Sequence, residues 1–210
     1  MKPQKKTLKH LSSKPYWDQI EALHPYKTLA MLFIVASAIV FTFLIVMMEF
    51  ERIQILDEIS LRSPRFFTLS TIIILLSCFV MSQSTRFFDT DQLLKLKNYM
   101  GVALIGGLVF VISQMMAWME LINNLNFTSY LDLKNYFFII SGLHLAHLVG
   151  ALVYCAVLMH RISILEDDAV QSLIYMTNPY QKTKYKTLTY FWYYLGIAWT
   201  VIFIYFLFAY

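Results

Sequence analysis

Two histidines three residues apart, His144 and His147, stand inside an apolar stretch from Tyr136 to Met159 that holds no Asp, Glu, Lys or Arg. Counted from Tyr136 as a helix, His144 lies about 12 Å and His147 about 16 Å along the stretch. A bilayer's hydrocarbon core is about 30 Å thick, so both fall near its middle. Imidazoles at that depth can ligate a metal, ligate haem or hydrogen-bond. Their i, i+3 spacing puts them on one helical face, which does not allow them to sandwich one haem iron. A metal site needs more ligands. His10, His24 and His160 lie in a tail or at the end of a stretch, and no Cys or carboxylate shares the depth of the pair. Polar groups at this depth are functional candidates by default. Hydrogen-bonded packing or lipid contact is the expected role, and no catalytic, cofactor-binding or metal-ligating residue is assigned.

Other polar and aromatic positions surround the pair. Gln114 lies about 9 Å from Glu120 along the preceding stretch. The connection from Leu121 to Asn135 is short, so these two helices are expected to be antiparallel neighbours, with Gln114 at the depth of His144 and bonded to it. Gly142, Ala146 and Gly150 form a small-residue stripe that predicts close approach of a neighbouring helix. Ser70, Ser77 and Ser84, each seven residues from the next, form a stripe expected to pack against other helices. Trp192 and Trp199, also seven apart, give the last stretch an aromatic face for packing or lipid contact. Trp118 marks the edge of its stretch. Cys78 and Cys155 sit inside apolar runs and are expected to be packed free thiols. Acids gather at Glu49, Glu51, Asp57 and Glu58, and again at Glu166, Asp167 and Asp168. They are read as solvated loop ends. There is no phosphate-binding glycine loop, nucleophile elbow or pair of intramembrane carboxylates.

The elements that must position these residues are legible from composition. Of 210 residues, 59% are apolar and 14% charged, against roughly 45–50% and 25% in a soluble domain. Such a chain cannot be an ordinary soluble enzyme, and nothing in it suggests binding to nucleic acid. Five stretches, near 28–48, 66–85, 99–119, 136–159 and 188–209, are long enough to span a bilayer and free of formal charge. In lipid they must be helices. The expected fold is an all-α, polytopic bundle of five transmembrane helices over 28–210. Residues 1–27 form a polar tail without a signal peptide, with an interfacial segment near Pro15–Tyr26. Lys and Arg are uneven: six Lys up to Lys27, then Arg86, Lys95, Lys97, Arg161, Lys182, Lys184 and Lys186 fall on one side, against Arg52, Arg62, Arg65 and Lys134 on the other. This bias predicts a cytoplasmic N-terminus and an outside C-terminus.

The run Gly107-Leu108-Val109-Phe110 through Gln114 to Trp118, followed by Ser141-Gly142-Leu143-His144-Leu145-Ala146-His147 to Gly150, resembles subunit III of haem–copper terminal oxidases. Phe191-Trp192 to Trp199 resembles that family's closing helix, and Phe67 to Ser84 its serine-bearing helix. Phe33 to Phe41 resembles its Phe-Ile-Ala-Ser-Glu segment, with the glutamate's place taken by Ser37 or Ala38. The resemblance runs from about Lys27 to the end and fits the short five-helix bacterial form. Three further positions depart from the pattern: Ala117 stands where a glutamate is usual, Tyr193 for a histidine and Gly196 for an aspartate.

The resemblance implies a non-catalytic subunit of a proton-pumping, oxygen-reducing cytochrome c or quinol oxidase in a bacterial cytoplasmic membrane. Its direct partner would be subunit I, with subunit II and a respiratory supercomplex further out. Haem and copper would belong to subunits I and II and none to this chain. Phospholipid would bind, and the chain would support proton uptake and sustained turnover. His144, His147, Gln114, Trp118, Ser37, Trp192 and Trp199 would be its structural or lipid-contact residues. A small membrane haem protein and a transporter are the alternatives.

Overall fold

The computed structural model describes residues 25–54, 65–123, 131–165 and 168–209. These form six helices and no strand: α1 (Pro25–Gln54), α2 (Arg65–Asp89), α3 (Leu93–Ile122), α4 (Leu131–Leu165), α5 (Ala169–Thr177) and α6 (Pro179–Ala209). All but α5 are long and apolar enough to cross a membrane. The chain is an all-α, multi-pass membrane protein, with five spans among the described residues. The interfacial segment expected near Pro15–Tyr26 lies, up to residue 24, outside the described residues.

Every spanning helix outruns the apolar stretch that announces it. α6 starts at Pro179 rather than near Leu188, and α4 reaches Leu165 rather than Met159. A backbone hydrogen-bond ladder does not stop where hydrocarbon stops, and Lys and Gln propagate a helix well. The break that does occur is chemical. Asn178 precedes Pro179, whose ring disfavours helix in the residue before it.

Helices α2, α3, α4 and α6 pack around a common core, and α1 leans mainly on α4 and α6 from outside. Only 11% of α1's most apolar window is buried, against 33–39% for the other spans, so most of it faces away from the bundle. The α2–α3 hairpin closes through Asp91, whose φ of 55° lies in the left-handed region. Gln92 N–H donates to Phe87 O at 2.9 Å and Asp91 N–H to Phe88 O at 3.4 Å. This is the Schellman pattern, with Asp where Gly is usual.

The closest helix crossings are set by glycines outside the predicted stripe. A Cβ at Gly107 would meet Leu152 Cδ2 of α4 at 2.6 Å, one at Gly106 would meet Ser77 Cβ of α2 at 3.1 Å, and one at Gly196 would fall on Cys78 Sγ. The stripe itself brings no helix so close. Gly142 has only the Trp118 ring nearby, at 3.7 Å, and Gly150 has nothing within 4 Å. The expectation fails because α3 and α6 press on α4 through its other faces, leaving Ala146 and Gly150 outward.

The two ends of the bundle differ in charge. Lys182 bonds Asp89 at 2.6 Å, joining the start of α6 to the end of α2. Lys27, Arg86, Lys95, Lys97, Arg161, Lys184 and Lys186 fall at this basic end with them. At the opposite end Tyr205 of α6 donates to Glu49 of α1 at 2.7 Å.

Candidate functional site

His147 is held in a directed chain across three helices. Its Nδ1 lies 2.7 Å from Leu143 O, one turn back on α4. A carbonyl only accepts, so Nδ1 carries the ring proton. Nε2, 3.1 Å from Ser37 Oγ of α1, is then an acceptor for the serine hydroxyl. Ser37 in turn accepts from Tyr194 OH of α6 at 2.8 Å. The rings of Phe33 and Phe41 flank the imidazole, at 5.4 and 5.7 Å between centroids. The chain joins α1 to the two helices that carry it. Of the neighbours Ser37 and Ala38, it is Ser37 that meets the histidine.

His144 lies in a different setting. It is fully buried, among Phe41, Phe110 and Trp199 at 6.2, 5.7 and 5.2 Å. Neither ring nitrogen has a hydrogen-bond partner. The predicted Gln114–His144 bond is not formed. Gln114 Nε2 donates instead to Ser70 Oγ of α2 at 3.0 Å, and Gln114 Oε1 has no partner. The reason lies in the packing. α3 lies along α2 over its whole length, so the Gln114 amide meets the serine stripe before it can reach α4, and rings enclose His144.

The three tryptophans among the described residues follow one rule. Trp199 Nε1 donates to Thr71 Oγ1 at 3.0 Å, Trp192 Nε1 to Ser77 Oγ at 3.1 Å, and Trp118 Nε1 to Ser141 Oγ at 3.1 Å. Each hydroxyl passes its own proton to a carbonyl: Thr71 to Phe67 O at 2.7 Å, Ser77 to Ala103 O at 2.9 Å, Ser141 to Phe137 O at 2.8 Å. Trp192 and Trp199 are fully buried, so their expected aromatic face is a packing face and not a lipid-facing one. Ser70 donates to Phe67 O at 2.9 Å while it accepts from Gln114, and Ser84 bonds only within α2, to Met81. Cys78 and Cys155 are free and buried. Cys78 points at Trp192 O at 3.5 Å.

An apolar groove of about 300 Å³ opens between α1, α4 and α6, one turn towards the basic end from Ser37 and His147. Tyr26, Leu29 and Phe33 form one wall, and Gly150, Tyr154 and Phe191 line the rest. The unoccupied side of Gly150 therefore belongs to this groove. The Tyr26 ring tilts over Tyr154 at 6.4 Å. Among the described residues, no three His, Cys, Asp or Glu side chains gather as a metal site.

The structure thus brings Ser37, His147 and an unforeseen Tyr194 together, and sets Gln114, His144, Trp118, Trp192 and Trp199 in the adjoining core. Tyr194 and Thr71 were missed although a signal was present. Each is a hydroxyl-bearing side chain near the middle of a span, where it must find a partner. No known protein family matches the chain, and no curated protein is found to be similar to it.

Proposed function

We propose that the chain is the non-catalytic subunit III of a haem–copper terminal oxidase, in the short five-helix form. The observation that carries this reading is the sequence run from Gln114 and Trp118 to His144 and His147, taken with its helix-one counterpart at Ser37. Residues spread over much of the sequence, and resembling one family's motifs, each bond to a neighbouring helix: His147 with Ser37, Gln114 with Ser70 and Trp118 with Ser141. These bonds tie the spans to one another, which suits a packing role. The groove beside Ser37 and His147 is apolar and lies against α1, a shape that suits an acyl chain. In this reading the basic end faces the cytoplasm of a bacterium. The chain packs on subunit I near subunit II, and the haems and copper reside in those partners. It sustains proton uptake during turnover, and the donor is cytochrome c or quinol.

The test is mild-detergent purification through a tag on this chain, followed by mass spectrometry and reduced-minus-oxidised spectra. Co-purification of an oxidase subunit I, with haem absorption that stays with the partner when this chain is dissociated, is the expected result. Stoichiometric haem or copper retained by the dissociated chain would reject the reading in favour of a small redox protein. Substrate flux in liposomes holding this chain alone would favour a transporter.

A further inference from the structure

The short helix α5 turns apolar side chains outward as well as inward. Val170, Leu173 and Ile174 follow i, i+3, i+4 spacing and so share one face. They are 68%, 57% and 64% exposed. The inward face carries Met176, which is buried, and Tyr175, whose hydroxyl lies 3.0 Å from that of Tyr185 on α6. A helix lying on a water-facing surface is apolar inwards but polar outwards, and it is the outward face of α5 that departs from this.

The Tyr175–Tyr185 bond fixes the level of α5. Tyr185 stands three residues before Leu188, where the apolar part of α6 begins, so it is about 4.5 Å beyond that edge along the helix. That is the depth of headgroups and glycerol, where tyrosines concentrate. The lipid-facing surface of α4 leads to the same place. Val153, Val157 and Ile164 are 59%, 47% and 65% exposed and line one face of α4 towards its junction with α5. Cations stand at this level too, on Arg161, Lys184 and Lys186. The carboxylate of Asp168 is turned into the helix start, accepting from Val170 N–H at 2.9 Å and Gln171 N–H at 3.1 Å.

We propose that α5 is an interfacial helix. It rests on the phospholipid surface at the basic end with Val170, Leu173 and Ile174 in the boundary between headgroups and acyl chains, while Arg161, Lys184 and Lys186 face lipid phosphates. Residues on such a face sink about 5–10 Å below the headgroups. The connection between the last two spans is then a membrane contact in its own right. This does not rest on the oxidase reading.

The test places a nitroxide on Leu173→Cys, and separately on Gln171→Cys, in the full chain within its native assembly, reconstituted in phosphatidylethanolamine–phosphatidylglycerol vesicles. Cys78 and Cys155 are buried and serve as the unlabelled background. Collision with oxygen reports lipid, and collision with a water-soluble nickel chelate reports water. At Leu173 the oxygen rate is expected to exceed the nickel rate, and at Gln171, on the flank of the helix, the order is expected to reverse. Nickel dominance at Leu173 would overturn the proposal by placing the face in water. Protection from both reagents at Leu173 would overturn it by showing a protein partner there. The labels sit on exposed positions, so loss of folding does not confound the result. A second variant, Val170→Ser with Ile174→Ser, should lose the oxygen excess at Leu173, and retention of that excess would also count against the proposal.

Discussion

At His147 both ring nitrogens are engaged, and at His144, less than one turn away, neither is. The two substitutions should therefore differ. His147→Leu removes the acceptor for Ser37 and leaves the Leu143 carbonyl to its helix. Bonds of this kind in membranes are worth about 0.6–2 kcal/mol, so the expected loss is of that size and falls on the docking of α1. Thermal unfolding in detergent, together with cysteine cross-linking of α1 to α6, measures it. His144→Leu replaces an unpaired polar ring by an apolar group of similar length and should be neutral or stabilising. A loss above about 2 kcal/mol there would mean that the ring has a partner. In an oxidase complex neither change should alter the haem spectrum, and His147→Leu should weaken retention of the subunit or shorten activity during sustained turnover. Gln114 was expected to bond His144, so that its loss would add little to loss of the two histidines. With Gln114 bonded to Ser70, Gln114→Leu and His147→Leu should instead add to within about 0.5 kcal/mol in a double-mutant cycle.

Helix-to-helix attachment rests on indole bonds and on glycine contacts, and each gives a separable expectation. Trp192→Phe and Trp199→Phe keep most of the ring but drop the N–H, so each should cost about 1 kcal/mol as read by denaturation in mixed micelles. Gly196→Ala places a methyl on Cys78 Sγ, and overpacking of this kind costs about 1–3 kcal/mol. Cys78→Ala in the same chain should restore much of that loss, and failure of this rescue would remove the contact from the account. Gly150→Ala meets open space and should be close to silent. These pairs also mark where sequence reading stopped. The five spans could be read because a run of uncharged apolar residues has one solution in lipid. α5 could not, since nine residues from Ala169 to Thr177 form no long apolar run. Its signs were the Asp168 cap, the i, i+3, i+4 trio and the stop at Asn178-Pro179. Which glycines touch depends on helix rotation, and apolar stretches on all sides of a helix carry almost no rotational signal. The serine stripe of α2 was legible as a packing stripe, but its partners, Gln114 and Trp192, lie on two different helices.

Taken as one molecule, the chain has a basic end and an end tied by Glu49, Arg52 and Tyr205. In the orientation proposed from the Lys and Arg bias, the basic end faces the cytoplasm. A cysteine beside Lys5 should react with an impermeant maleimide only after cells are opened, and one beside Asn124 should react in intact cells. The reverse pattern would sink both the orientation and the oxidase assignment. The asymmetry between α1 and the rest has a consequence for how the protein is made. Ser37 finds His147 and Tyr194 only across 110 and 157 residues of chain. At a synthesis rate of about 5–20 residues per second, α1 leaves the ribosome on the order of ten seconds before both docking partners exist. During that interval it stands in the bilayer without them, and its apolar faces and scant burial suit it to do so. Ser37 and Glu49, which meet α4 and α6, then form their bonds late.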